Sequence, residues 1–135
     1  MNLVDTSGWI EYFFSSPNAS FFAKPIEDTG NLIVPVICLY EVFKKVNLVA
    51  DEAKALQIIG QMKQGRIVDL TEDIALRASL VSIRYKLPMA DSLIYATAGA
   101  RNALLWTQDE HFRRMPGVNY RDARNSSGVR GKPRC

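Results

Sequence analysis

Leu32-Ile33-Val34-Pro35, running on into Val36-Ile37-Cys38-Leu39-Tyr40-Glu41, is the stretch from which the fold is read. Its first three residues form a continuous apolar run rather than an alternation, which is how a strand buried on both faces of a parallel sheet reads. Pro35 suits the turn into a helix, because its fixed φ fits a first helical position. The helix then carries Leu39, Val42, Phe43 and Val46 at helical spacing and holds Glu41 among them. The same unit, a short β-rich run leading into a helical pattern, recurs on both sides of this stretch.

Toward the amino end, Asn2-Leu3-Val4 reads as a first strand ending at Asp5. Thr6-Ser7-Gly8 then offers capping oxygens to a helix carrying Trp9, Ile10, Phe13 and Phe14. Asn18 is placed to cap a second helix with Phe21 and Phe22, disturbed at Pro25 and ended by Gly30. Toward the carboxyl end, Asp51 and Glu52 open a helix with Leu56, Ile59 and Met62, closed by Gly65. Arg66-Ile67-Val68-Asp69 is a third strand, and Thr71 caps a helix with Ile74, Ala78, Val81 and Tyr85. Pro88 precedes a helix from about Ala90 to Arg101, with Asn102 as a left-handed cap. Ala103-Leu104-Leu105-Trp106 is a fourth strand and Val118-Asn119-Tyr120 a short fifth. This alternation predicts an α/β layer fold with a mostly parallel sheet of four or five strands.

A chain of 135 residues accommodates one domain with one sizeable core. We place that domain at residues 1–122 and read 123–135 as a basic, disordered tail. The net charge of +3 belongs to that tail. Without Arg124, Arg130, Lys132 and Arg134, the remaining 13 basic residues face 14 acidic ones, a net of −1. The folded body is therefore not a basic nucleic-acid-binding surface by bulk charge, although the tail could hold a phosphate backbone. The longest apolar run, Leu32 to Tyr40, falls short of the roughly 20 residues of a membrane span. No secretory leader pattern is visible, and Cys38 and Cys135 suggest no disulfide framework. Together these features suggest a cytoplasmic protein without a membrane partner.

In open α/β sheets ligands bind beyond the carboxyl ends of the strands. Asp5 ends the first strand, and Asp109 lies just past the fourth, in Trp106-Thr107-Gln108-Asp109. Glu41 is early in the helix after the second strand, and Asp91 is in the first turn of the helix before the fourth. Each acid also has an ordinary use. Asp5 could cap a helix, Glu41 could pair with Lys45, Asp91 could answer a helix dipole, and Asp109 could shape a turn. The shared edge is what sets them apart. Four acids converging there repel one another unless protonated or neutralised by a cation. An all-oxygen set suits Mg²⁺ or Mn²⁺ better than zinc. His111, the only histidine, is read as a turn residue. The aromatic series Trp9, Tyr12, Phe13, Phe14, Phe21 and Phe22 is read as core or dimer interface.

Val4-Asp5-Thr6-Ser7, Pro35 with Glu41, Ala90-Asp91-Ser92-Leu93-Ile94-Tyr95-Ala96-Thr97-Ala98, and Thr107-Gln108-Asp109-Glu110-His111-Phe112 follow in the order and spacing of PIN-domain proteins. More narrowly, the chain resembles VapC-type toxins of toxin–antitoxin pairs, over roughly residues 1–122. The resemblance implies a three-layer α/β/α sandwich whose acidic pocket binds Mg²⁺ or Mn²⁺. Asp5, Glu41, Asp91 and Asp109 fall on the acidic motif positions, and Thr6 and Thr107 on those of supporting hydroxyls. The implied activity is endonucleolytic cleavage of transfer, ribosomal or messenger RNA, leaving a 3′-hydroxyl and a 5′-phosphate. The implied partners are a second copy and a small antitoxin that covers the pocket. Lys44, Lys45, Arg113 and Arg114 are candidate phosphate contacts, or simply a solvated face.

Two other readings compete. A phospho-switch resembling response-regulator receivers would use Asp69 as acceptor and Thr107 as switch hydroxyl. It lacks an acid pair after the first strand and leaves Glu41 and Asp91 without a role. A non-catalytic RNA- or protein-binding module with the same fold is the second; no residue favours it, since all four acids are present.

Overall fold

In a computed structural model, which describes residues 1–123, the elements follow the expected alternation. They are β1 (Asn2–Val4), α1 (Thr6–Phe13), α2 (Ala19–Glu27), β2 (Leu32–Pro35), α3 (Val36–Val49), α4 (Glu52–Met62) and β3 (Arg66–Val68). Then come α5 (Glu72–Tyr85), α6 (Met89–Ala100), β4 (Leu104–Thr107) and β5 (Val118–Tyr120), with single 3-10 turns at Thr29–Asn31 and Glu110–Phe112. Apart from Ala123, the expected tail lies outside the described residues.

The strands form one sheet in the order β3-β2-β1-β4-β5, and every pairing is parallel. Leu3 stands opposite Ile33 on one side and Leu105 on the other. All four residues of β2 are buried, as its unbroken apolar run requires. Helices cover the sheet in an α/β/α sandwich, the core running from Leu3, Val4 and Trp9 through Ile33, Val34 and Val42 to Ile94 and Leu105. The chain builds outward from β1 to β2 and β3, then returns to place β4 on the other side of β1. The strand order therefore reverses between β1 and β4, and a crevice opens beyond their carboxyl ends.

Local details depart from the sequence reading in four places. Pro35 is the last residue of β2 and the cap of α3, with ψ 143°, rather than the first helical residue. Asp5 caps α1 through Gly8 N, so Thr6 and Ser7 belong to the first turn. Asn18 precedes α2 without capping it, because its side chain is committed elsewhere. The buried stripe of α4 is Ala55, Ile58 and Met62, leaving Leu56 57% exposed. Two apolar stripes overlap on that helix, and the one with small Ala55 allows the closer approach to α3. The αL cap at Asn102 is present, with φ 52°.

Candidate functional site

An open cleft of about 440 Å³ lies beyond the carboxyl ends of β1 and β4 and brings Asp5, Glu41, Asp91 and Asp109 together. Its floor is Asp5, 2% exposed. One carboxylate oxygen accepts from the Ser7 hydroxyl at 2.7 Å and the Gly8 amide at 3.1 Å. The other accepts from the Thr107 hydroxyl at 2.8 Å. The same Thr107 oxygen accepts from the Asp109 amide at 2.9 Å, which ties the end of β4 to the end of β1. Gly8 permits this close approach, since a Cβ there would meet Phe22 and Val4 side-chain atoms at 2.6 Å. Asp5's direct partners among the described residues are all neutral, and burial outweighs them. The carboxyl is pushed up to about 7, by burial first and by the negative charge of Asp109 as well.

Glu41 reaches the cleft from the second turn of α3, and its Oε1 accepts from the Thr6 hydroxyl at 2.6 Å. Its hydroxyl partner is thus on the facing helix α1 rather than on its own. The opposite rim is Asp91, in the first turn of α6, and Asp109, beyond β4. Asp91 is pushed up to about 6 by burial and by repulsion from Asp109. His111 answers both acids. Its Nδ1 lies 2.7 Å from Asp91 Oδ2 and 3.2 Å from Asp109 Oδ1, and its pKa is raised by the hydrogen bond to Asp91 and by the charge of Asp109. The single histidine does sit in a turn, but the turn aims it at the acids.

The expected phosphate contacts divide. Lys44 and Lys45 line the cleft from α3, together with exposed Tyr40 and Leu48. Arg113 and Arg114 do not line it; they border a separate cleft with Tyr85, Glu110 and Met115. There Arg113 lies over the Tyr120 ring and 4.0 Å from Asp122. Asp69, the acceptor of the phospho-switch reading, is exposed just past the edge strand β3 and does not line the acidic cleft. That placement removes the switch reading.

Three residues behind the site, Glu11, Asn18 and Gln108, form a network that the sequence did not reveal. Glu11 is 3% exposed, and its carboxylate accepts from the Asn18 amide at 2.8 Å and the Gln108 side chain at 3.0 Å. Asn18 in turn donates to Gln108 Oε1 and to the Asp122 carbonyl. Gln108 lies between Thr107 and Asp109, so this buried network fixes the loop that presents both. Its signal in the sequence is faint: an acid inside the apolar run of α1, two residues from Trp9.

The acidic set fits a divalent cation chemically: carboxylate oxygens, a buried member with no cationic partner among the described residues, and flanking hydroxyls. Asp91, Asp109 and His111 also place one ligand atom each within 4.8 Å of one another. Among solved structures, the fold is similar to a toxin–antitoxin complex from Klebsiella pneumoniae, with TM-score 0.74 and 24% identity over 88% of this chain and 96% of that one. It is similar to VapC20 of Mycobacterium tuberculosis, described as a sarcin–ricin loop cleaving toxin, with TM-score 0.72 and 14% identity over 86% and 95%. VapBC2 from Rickettsia felis, bound to a DNA fragment from its promoter, gives TM-score 0.70 and 15% identity over 90% and 97%. At these identities the likeness is one of fold. No curated protein matches the sequence. The family profile of the PIN domain matches residues 3–118, which run from within β1 to the start of β5 and take in all four acids, and the chain belongs to the PIN-domain family.

Proposed function

We propose that this PIN domain is a Mg²⁺- or Mn²⁺-dependent endoribonuclease, the toxin of a type II toxin–antitoxin pair of the VapC kind. The observation that carries the reading is Asp5. A carboxylate buried to 2% exposure, held by neutral partners and facing three further acids, is costly unless a cation joins it. Asp5, Glu41, Asp91 and Asp109 would hold the ion. When bound, it lowers the pKa of a water and offsets charge growing on phosphate oxygens. Thr6 and Thr107 keep Glu41 and Asp5 in place. Lys44 and Lys45 stand where a phosphate backbone would pass over the rim. A route of this kind needs no nucleophilic side chain. It agrees with Cys38 being buried and its thiol held well above the usual range, by burial first and then by Asp5.

The antitoxin is proposed from the resemblance and from the toxin–antitoxin complexes among the structural neighbours. The second copy is proposed on the outer stripe of α5, where Leu76, Leu80 and Ile83 are 61%, 68% and 75% exposed at i, i+4 and i+7. No helix among the described residues is long and apolar enough to cross a membrane.

The test is cleavage of total RNA by the purified chain with Mg²⁺, with Mn²⁺ and with EDTA, alongside Asp5→Asn and Asp69→Asn. Metal-dependent cleavage lost in Asp5→Asn and kept in Asp69→Asn supports the reading. Cleavage that survives EDTA or Asp5→Asn overturns it.

A further inference from the structure

The four carboxylates account for the proposed chemistry and leave one feature over. His111 is placed by two constraints. Its amide donates to Asp109 Oδ1 at 2.9 Å, and the next residue, Phe112, is fully buried and stacked on Tyr95. With the backbone fixed on both sides, the ring carries Nδ1 to 2.7 Å from Asp91 Oδ2 and 3.2 Å from Asp109 Oδ1. Adjacent ligand atoms around an octahedral ion with bonds of about 2.1 Å are about 3 Å apart. The separations that make a hydrogen bond here therefore also match two edges of a coordination shell. The three ligand atoms come from two places in the chain, Asp91 from α6 and Asp109 and His111 from the turn after β4, and no helix periodicity brings them together.

We propose that His111 is itself a ligand, through Nδ1, giving the Asp91–Asp109 side of the cleft a nitrogen donor and a preference for Mn²⁺-class ions over Mg²⁺. The inference rests on the metal-dependent reading above. Mg²⁺ is a hard ion that holds oxygen ligands and its own water. A nitrogen donor raises affinity for transition ions further along the first row and does little for Mg²⁺. Discrimination between the two ions would then lie in a residue outside the acidic quartet. The ring edge away from the acids stays in solvent, the side chain being 56% exposed, so ligation requires no burial of the imidazole.

The experiment uses the purified chain loaded with Mn²⁺ and pulsed electron paramagnetic resonance to detect ¹⁴N coupling to the ion. Calorimetric titrations with Mn²⁺ and with Mg²⁺ accompany it, on the wild type and on His111→Gln, with a thermal melt to show that the variant folds. The expected result is ¹⁴N coupling in the wild type that disappears in His111→Gln. Mn²⁺ affinity should fall roughly tenfold or more in the variant, and Mg²⁺ affinity by no more than about threefold. Bound Mn²⁺ without ¹⁴N coupling, or equal losses for both ions, overturns the proposal and leaves His111 as a residue that only positions Asp91 and Asp109. Such a result leaves the nuclease reading intact. If neither ion binds the wild type, the metal-dependent reading falls, and this inference with it.

Discussion

The floor and the rim of the acidic cleft are built by different means. At the floor, Asp5 is sealed from solvent, ends β1, caps α1 and takes three hydrogen bonds from neighbours in two segments. At the rim, Asp91 and Asp109 are partly exposed and are joined by His111, a side chain mostly in solvent. One carboxylate is thus a fixed part of the fold, raised mainly because water cannot reach it. The other two form a softer pair bridged by His111, in which Asp91 is raised by its partial burial and then by the charge of Asp109. Structural and chemical roles thus coincide at the floor and separate toward the rim. Substitutions should therefore change both stability and activity below, and mainly local charge above.

The largest effect is expected from Asp5→Asn. Cleavage should fall by about a thousandfold, since one fixed charge at the reacting centre is lost. Stability should move the other way in EDTA. Asp5 titrates near 7 in the fold instead of the ordinary 3.8, so the native state holds the extra proton between those values. Native protein then binds more protons than unfolded chain, and stability falls as pH rises from about 4 to about 7. Above that window the penalty is complete, on the order of 4 kcal/mol. Urea melts at pH 4 and pH 8 without metal should show the slope, and Asp5→Asn should flatten most of it. Saturating Mn²⁺ should restore stability at pH 8. An unchanged slope in the variant would mean that the cost of burying charge does not lie at the floor.

Thr107→Val tests the joint between the two regions. The side chain is fully buried, and valine keeps its shape while removing both the bond to Asp5 and the acceptor for the Asp109 amide. A loss of about 1–3 kcal/mol in urea unfolding is expected, from leaving buried polar groups unpaired. Activity should drop roughly ten- to a hundredfold, as for loss of a group orienting a ligand. Thr107→Ser, which keeps the hydroxyl, should recover most of both. If the valine variant loses stability without activity, floor and rim are not coupled through this hydroxyl.

The parallel sheet was readable because β2 is an unbroken apolar run, and Asp5 and Asp109 because strand ends are sequence features. Glu41 and Asp91 followed from their places near helix starts. What the sequence hid depends on contacts between distant segments. Glu41 had a nearby lysine at i+4, yet its carboxylate takes a hydroxyl from α1, 35 residues away. His111 looked like a turn residue because its partner Asp91 lies 20 positions earlier, across a helix and a strand. Arg113 and Arg114 shared a segment with Asp109, but the 3-10 turn between sends them to another cleft. Asn18 had the right type for a cap and was recruited instead by Gln108, 90 residues on.

A smaller effect sharpens the rim itself. Asp91 raises the His111 pKa, and Asp109 adds to it. In metal-free protein, Asp91→Asn should therefore lower the His111 pKa toward the ordinary 6.5, read from its ring resonances by NMR titration. Asp5→Asn should leave it nearly unmoved, because floor and ring make no contact. Equal shifts from the two variants would show the cleft titrating as one unit, and the floor–rim division would lose its meaning.

The smallest expected difference separates the outer cations. Lys45 borders the cleft, whereas Arg113 faces Tyr120 and Asp122 beside another one. If RNA lies over the rim, Lys45→Ala removes one phosphate contact. Binding to the Asp5→Asn protein, which holds RNA without cutting it, should weaken a few-fold and lose about 0.7 from its salt slope, as for one charge on a single strand. Arg113→Ala should change neither quantity beyond its error. Filter binding across a salt series measures both. The paired design matters, because removing any cation weakens polyanion binding a little through long-range charge, and that background is common to both variants. Only a contact changes the number of counterions released. Equal slopes for the two variants would move the RNA path off α3, and a larger loss from Arg113→Ala would run it past His111 into the second cleft.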